Sequence, residues 1–147
     1  MVEQFNIRVY GLMMNDQNEI LLVRERIADL EFTKLPGGGL ELGEGTRDCL
    51  TREFKEETNL DVEIKEHFYT TDFFQISMFR NHEQIISIYY LVAPTAFPVE
   101  VNLENQEINI DGRIEYLRFF WVNIKDLNVD MFTSPIDKKV CSLFLKK

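Results

Sequence analysis

Gly38-Gly39-Leu40-Glu41-Leu42-Gly43-Glu44-Gly45-Thr46-Arg47-Asp48-Cys49-Leu50-Thr51-Arg52-Glu53-Phe54-Lys55-Glu56-Glu57-Thr58-Asn59-Leu60 is the stretch on which the reading of this chain turns. Its first part, entered through Leu35-Pro36-Gly37, is too rich in glycine for a regular helix or strand interior, which predicts a loop to about Gly45. From Thr46 to Thr58 the composition turns helical. Leu50 and Phe54 lie one turn apart as core anchors, with Thr51 and Lys55 on the opposite, solvated side. Gly45 is an acceptable N-cap with Asp48 three positions on, and Asn59 tolerates the left-handed conformation that ends a helix.

On that helix Glu53 and Glu57 are four apart and Glu53 and Glu56 three apart, so the carboxylates share one strip beside the core anchors. Like charges at these spacings cost a few tenths of a kcal/mol per pair, and more when desolvated, unless a cation sits among them. Oxygen ligands on a rigid helix, with no histidine among them, select Mg²⁺ or Mn²⁺ over zinc. Magnesium keeps several waters and completes its shell with phosphate oxygens, so such a site binds a diphosphate and activates a water. Arg52 is placed to orient a carboxylate, and the loop carries Glu41 and Glu44 towards the helix. Acidic residues alone usually form a solvated face; here the joint spacing carries the argument.

That spacing runs Gly38, five residues, Glu44, seven residues, Arg52-Glu53-Phe54-Lys55-Glu56-Glu57-Thr58, then Leu60. It resembles the signature box of the Nudix hydrolases, departing only at Asn59, where that family usually has glycine. The resemblance implies an α/β/α sandwich with a mixed sheet. It implies Glu53, Glu56 and Glu57 as metal ligands, joined by the Gly38 carbonyl, with Arg52, Glu56 and Glu44 as the catalytic set. Glu115, six residues before Trp121, is similar in placement to an additional metal-site glutamate of some small members; Glu104 and Glu107 compete for that role. The implied activity is Mg²⁺-dependent (or Mn²⁺-dependent) cleavage of a diphosphate bond in a nucleoside-diphosphate-linked small molecule. ADP-ribose, nucleotide sugars, dinucleoside polyphosphates and oxidised nucleoside triphosphates are the family's substrates, and no substrate-binding residue is assigned. The alternative is a Nudix-like nucleotide sensor without turnover; such regulators commonly lose box glutamates and carry a DNA-binding domain, whereas every charged box position is kept here. Homodimers are frequent in the family.

Outward from the box, residues 5 to 14 alternate as a strand, Asn15 to Asn18 form a polar turn, and Glu19 to Arg26 follow as a second strand, predicting a hairpin. Asp61 to Phe74, Gln84 to Ala93 and Tyr116 to Val122 are rich in β-branched and aromatic residues and read as strands. Ser134-Pro135 opens a second helix with Val140, Leu143 and Phe144 as its apolar stripe. The polar run from Asn102 to Gly112 reads as a mobile loop near the site. The class is α/β, in one domain over residues 1–147.

The 147 residues are 45% hydrophobic and 28% charged, ordinary for a globular protein. No apolar run approaches the roughly 20 residues of a membrane span and no secretory pattern opens the chain, so the expected location is cytoplasmic, away from membranes. A net charge of -9 argues against nucleic-acid backbone binding. Cys49 and Cys141 read as buried reduced thiols. His67 and His82 read as surface or hydrogen-bonded residues. Arg8, Arg24, Arg26, Lys34 and Arg80 are candidates to pair with substrate phosphates, although scattered cations are normally solvated, and none is singled out. Tyr69, Phe73 and Phe74 are candidates to stack on a base.

Overall fold

In a computed structural model, which describes residues 1–110 and 112–147, the chain folds as two four-stranded sheets and two helices. In order these are β1 (Gln4–Met13), β2 (Glu19–Ile27), β3 (Leu30–Lys34), β4 (Gly37–Gly39), α1 (Thr46–Thr58), β5 (Val62–Thr70), β6 (Glu83–Pro94), β7 (Gln106–Ile110), β8 (Arg113–Asn123), a short 3-10 turn (Val129–Met131) and α2 (Pro135–Leu145). One sheet has the order β4-β1-β6-β5 and is mixed, because β1 and β6 run parallel. The other, β3-β2-β8-β7, is antiparallel throughout.

The expected hairpin between the first two strands does not form. β1 is bordered by β6 from Gln4 to Met13 and by β4 on its other edge, so no edge is left for β2. β2 instead joins the second sheet, and the link between the two is a single bridge, Met14 to Ile20. Alternation identifies a strand but not its partner.

The glycine-rich segment also differs from expectation. Gly37–Gly39 is a short strand, paired so that Tyr10 faces Gly37 and Arg8 faces Gly39. A Cβ on Gly37 would stand 2.0 Å from the Val9 carbonyl oxygen, so the missing side chain is what lets β4 lie against β1. The run Asn102 to Gly112 is a loop only as far as Asn105; β7 then pairs with β8. Its polar content masked the alternation of Ile108 and Ile110, and Asp111 lies outside the described residues.

Each inner strand shares its two faces between two cores. Val9, Met13, Leu21, Val23, Tyr90 and Phe119 pack with Cys49, Leu50 and Phe54 of α1. Tyr10, Leu12, Ile20, Leu22 and Tyr89 pack with Ile136, Val140 and Cys141 of α2. This is the α/β/α sandwich expected. Leu50 and Phe54 are essentially inaccessible, a burial that contributes roughly 1.5–3 kcal/mol each. α1 has the expected ends: Gly45 is extended and Asn59 is left-handed at φ 59°, its N–H donating to the Lys55 carbonyl. At α2 the Ser134 hydroxyl accepts from the Asp137 N–H at 3.2 Å, behind Pro135 at the first turn. Among the described residues no helix is long and apolar enough to cross a membrane.

Candidate active site

A cleft of about 640 Å³ is lined by strands of both sheets and by the inward edge of α1. Gly38 from β4, Glu53 and Glu57 from α1, and Glu115 from β8 all line it, so the structure gathers four of the residues the sequence singled out. Glu53 rests directly on the glycine strand: a Cβ on Gly38 would lie 2.5 Å from its carboxylate. The spacing of the helix and the absence of a side chain on the loop thus act together.

Arg52 fastens the loop to the helix. Its Nη2 and Nε donate to the two oxygens of Glu44 at 2.6 and 3.0 Å, and its Nη1 donates to Glu53 at 3.0 Å. Nη2 also reaches the Gly39 carbonyl at 3.3 Å. Glu44 is held at about 2 chiefly by its hydrogen bonds from Arg52, so it stays ionised and engaged. Glu56 is placed differently from Glu53 and Glu57. It is exposed, does not line the cleft, and turns to Arg52 Nη1 at 3.3 Å. Glu41 likewise lies outside, 3.8 Å from Arg52.

The carboxyl of Glu57 is pushed up to about 8, first by burial; Lys34 opposes this, and the hydrogen bond and charge of Glu53 add to it. Two carboxyl groups crowded in a cleft, one of them forced towards neutrality, form an oxygen-only donor set suited to a hard divalent cation. With Arg52 drawing Glu53 and Glu56 towards itself, no three histidine, cysteine or carboxylate side chains among the described residues converge on one point. Glu115 also lines the cleft, bonded to Arg113 at 3.1 Å; Glu104 and Glu107 are exposed and off the cleft. Cys49 is an inert neighbour, its thiol raised to about 12 by burial and by Glu44.

Other cleft residues were not legible as such. Lys34 is no solvated cation: it is buried, paired with Glu25 at 2.9 Å and lying over the Tyr10 ring. Burial opposes its charge, yet Glu25 and Tyr10 keep its pKa raised. On the cleft floor Asp137 is fully buried, accepts a hydrogen bond from the Tyr89 hydroxyl, and is raised to about 6 by burial. The aromatic wall also differs from the three rings expected. Tyr69 is buried in the core, and Phe73 and Phe74 do not line the cleft. Phe5, Phe32 and Phe79 do, with Phe32 and Phe79 packed 5.0 Å apart. Phe5 and Phe79 remain exposed at its mouth. Only their joining in three dimensions marks them, since they come from three separate segments.

A family model described as NUDIX domain matches residues 4–143. The fold is similar to that of a MutT protein from Methanosarcina mazei, at 19% identity, covering 99% of this chain and 96% of that one with a TM-score of 0.72. It is also similar to a MutT NUDIX hydrolase from Burkholderia pseudomallei, at 20% identity, 96% and 98% coverage and a TM-score of 0.69. An ADP-ribose pyrophosphatase from Streptococcus suis gives 17% identity, 97% and 92% coverage and a TM-score of 0.57.

Proposed function

Because this chain belongs to the NUDIX family of hydrolases, we propose that it uses Mg²⁺ or Mn²⁺ to cleave a diphosphate bond in a nucleoside-diphosphate-linked small molecule. The observation that carries the reading is the crowding of Glu53 and Glu57 against Gly38 inside a cleft whose mouth is aromatic. That combination matches a substrate with a polyphosphate at one end and a flat, apolar base at the other.

In this reading Glu53, Glu57 and the Gly38 carbonyl would hold the cation, with Glu115 lining the same cleft and Glu56 outside it. The cation supplies charge neutralisation at the phosphate oxygens and a more acidic water. Glu57, whose charged form burial disfavours, would be the carboxylate that gains most from a bound cation's positive charge. Arg52 is a positioning residue, holding Glu53 in register while Glu44 and Glu56 hold Arg52.

The net charge of -9 favours a small phosphorylated substrate over a nucleic acid. The buried thiols of Cys49 and Cys141 suit a reducing compartment, and we assign the protein to the cytoplasm as one domain.

A panel of nucleotide sugars, ADP-ribose, dinucleoside polyphosphates and oxidised nucleoside triphosphates, assayed with Mg²⁺ or Mn²⁺ and with EDTA as control, tests the reading. Glu57→Gln should lower the rate by about 10²-fold or more while the protein still folds. Cleavage that survives EDTA, or a wild-type rate in a folded Glu57→Gln protein, would refute it. Binding without cleavage across the panel would make the protein a nucleotide sensor.

A further inference from the structure

Four cations line the cleft among the described residues: Arg8, Lys34, Arg80 and Arg113. Three of them have a carboxylate partner, Lys34 with Glu25 at 2.9 Å, Arg80 with Glu83 at 3.5 Å and Arg113 with Glu115 at 3.1 Å. Arg8 has none within ion-pairing distance among the described residues. This stands out in a chain with 25 acidic residues and 16 basic ones. Its Nε donates to the Tyr10 hydroxyl at 2.5 Å, which fixes the plane of the guanidinium and leaves both terminal nitrogens without a partner among the described residues.

Arg8 lines the same cleft as Glu53 and Glu57. Arg8 faces Gly39 across the β1–β4 pairing, and a Cβ on Gly39 would lie 3.6 Å from Nη1. A Cβ on the adjacent Gly38 would project to the opposite face, onto Glu53, and after Tyr10 the charges of Glu25 and Glu53, both in the cleft, still favour the charged form of Arg8. In the other direction β1 leads to Phe5 at the aromatic mouth. Arg8 therefore sits between the acidic end of the cleft and its apolar end, where a diphosphate joining the two would pass. A planar guanidinium with free terminal N–H groups matches two oxygens of one phosphate, and partial burial strengthens such charge-assisted bonds.

We propose that Arg8 is a substrate-binding residue that grips a phosphate of the bound diphosphate between the glutamates and the aromatic mouth. The assignment rests on the diphosphate-hydrolase reading above. The competing role is structural: Tyr10 is buried between Arg8 and Lys34, and Arg8 would then serve only to hold that ring.

Two probes separate these roles in the full chain, Mn²⁺ alone followed by electron spin resonance, and inorganic diphosphate titrated calorimetrically in the presence of Mn²⁺. Arg8→Gln should weaken diphosphate binding about tenfold or more. It should leave Mn²⁺ binding as tight as in the wild type or tighter, since a positive charge near Glu53 is removed, and Arg8→Lys should recover part of the loss. Diphosphate binding equal to wild type in Arg8→Gln overturns the assignment while leaving the hydrolase reading intact. Equal weakening of Mn²⁺ and diphosphate assigns Arg8 to structure and overturns it as well. A wild-type protein that binds neither probe removes the diphosphate site itself, and the role of Arg8 with it.

Discussion

The carboxylate of Glu53 fills the space in which a side chain on Gly38 would begin, its oxygens lying 2.5 and 2.7 Å from the position of a Cβ there. Helix α1 and strand β4 can close on each other only because that atom is missing, and the contact also aims Glu53 into the cleft.

Gly38→Ala should therefore displace Glu53 rather than merely stiffen the loop. We expect turnover to fall by about 10²-fold, the scale on which a 1 Å misplacement of a catalytic group acts. Stability should fall by only about 1–3 kcal/mol, as for a local overpacking. Steady-state kinetics beside a denaturant melt measure both, and wild-type turnover in the alanine variant would show that the contact does not set the position of Glu53.

Arg52 joins Glu44, Glu53, Glu56 and the Gly39 carbonyl through one planar group. A lysine carries the same charge but cannot fork across these partners. Arg52→Lys is expected to lower kcat by more than tenfold with little change in KM, because it loosens a carboxylate without touching the substrate. A KM effect with kcat unchanged would instead move Arg52 into direct contact with substrate.

Asp137 gives the fold a pH dependence of its own. Burial raises its carboxyl from 3.8 to about 6, so the folded state favours the protonated form more than the unfolded chain does. Its contribution to stability is complete below about 3.8 and is lost as the pH rises through about 6. A rise of this size corresponds to at most about 3 kcal/mol. In Asp137→Asn, chemical denaturation at a series of pH values should lose this decline between about pH 4 and 7, leaving a variant at least as stable as the parent at neutral pH. A decline unchanged in the variant would assign the pH dependence to other groups.

How far the sequence could be read is clearest at α1. Its ends, its core anchors Leu50 and Phe54 and the left-handed Asn59 follow from local chemistry, and the helix runs from Thr46 to Thr58 as expected. Local rules failed where partners decide. β1 and β2 each alternate as strands do, but which strands border them depends on β6 and β8, far along the chain. The site divided in the same way. Glu53 and Glu57 share the cleft as helical spacing requires, whereas Glu56 is diverted by Arg52, whose reach depends on rotamer choices that spacing does not encode. Lys34 looked like any surface lysine, because its neighbours Glu25 and Tyr10 come from β2 and β1.

Glu115 lines the cleft from β8, its side chain largely covered and bonded to Arg113. If it contributes to the cation site, Glu115→Gln should weaken Mn²⁺ binding and slow turnover by about tenfold, less than Glu57→Gln does. Unchanged Mn²⁺ affinity would confine Glu115 to its pairing with Arg113.

The aromatic mouth carries the last prediction. Phe79 comes from the segment before β6, packs against Phe32 of β3 and lines the cleft, with the residue 43% exposed. An exposed ring packed on a buried one can keep its outer face available to a base, and such stacking is worth about 0.5–1.5 kcal/mol. Phe79→Ala should then raise KM about three- to tenfold for a base-bearing substrate with little change in kcat, since the stacked base lies away from the reacting phosphate. Inorganic diphosphate, which has no base, should bind the variant as it binds the wild type. A matching loss for diphosphate would mean that Phe79 shapes the whole cleft, and an unchanged KM would move base recognition away from this mouth.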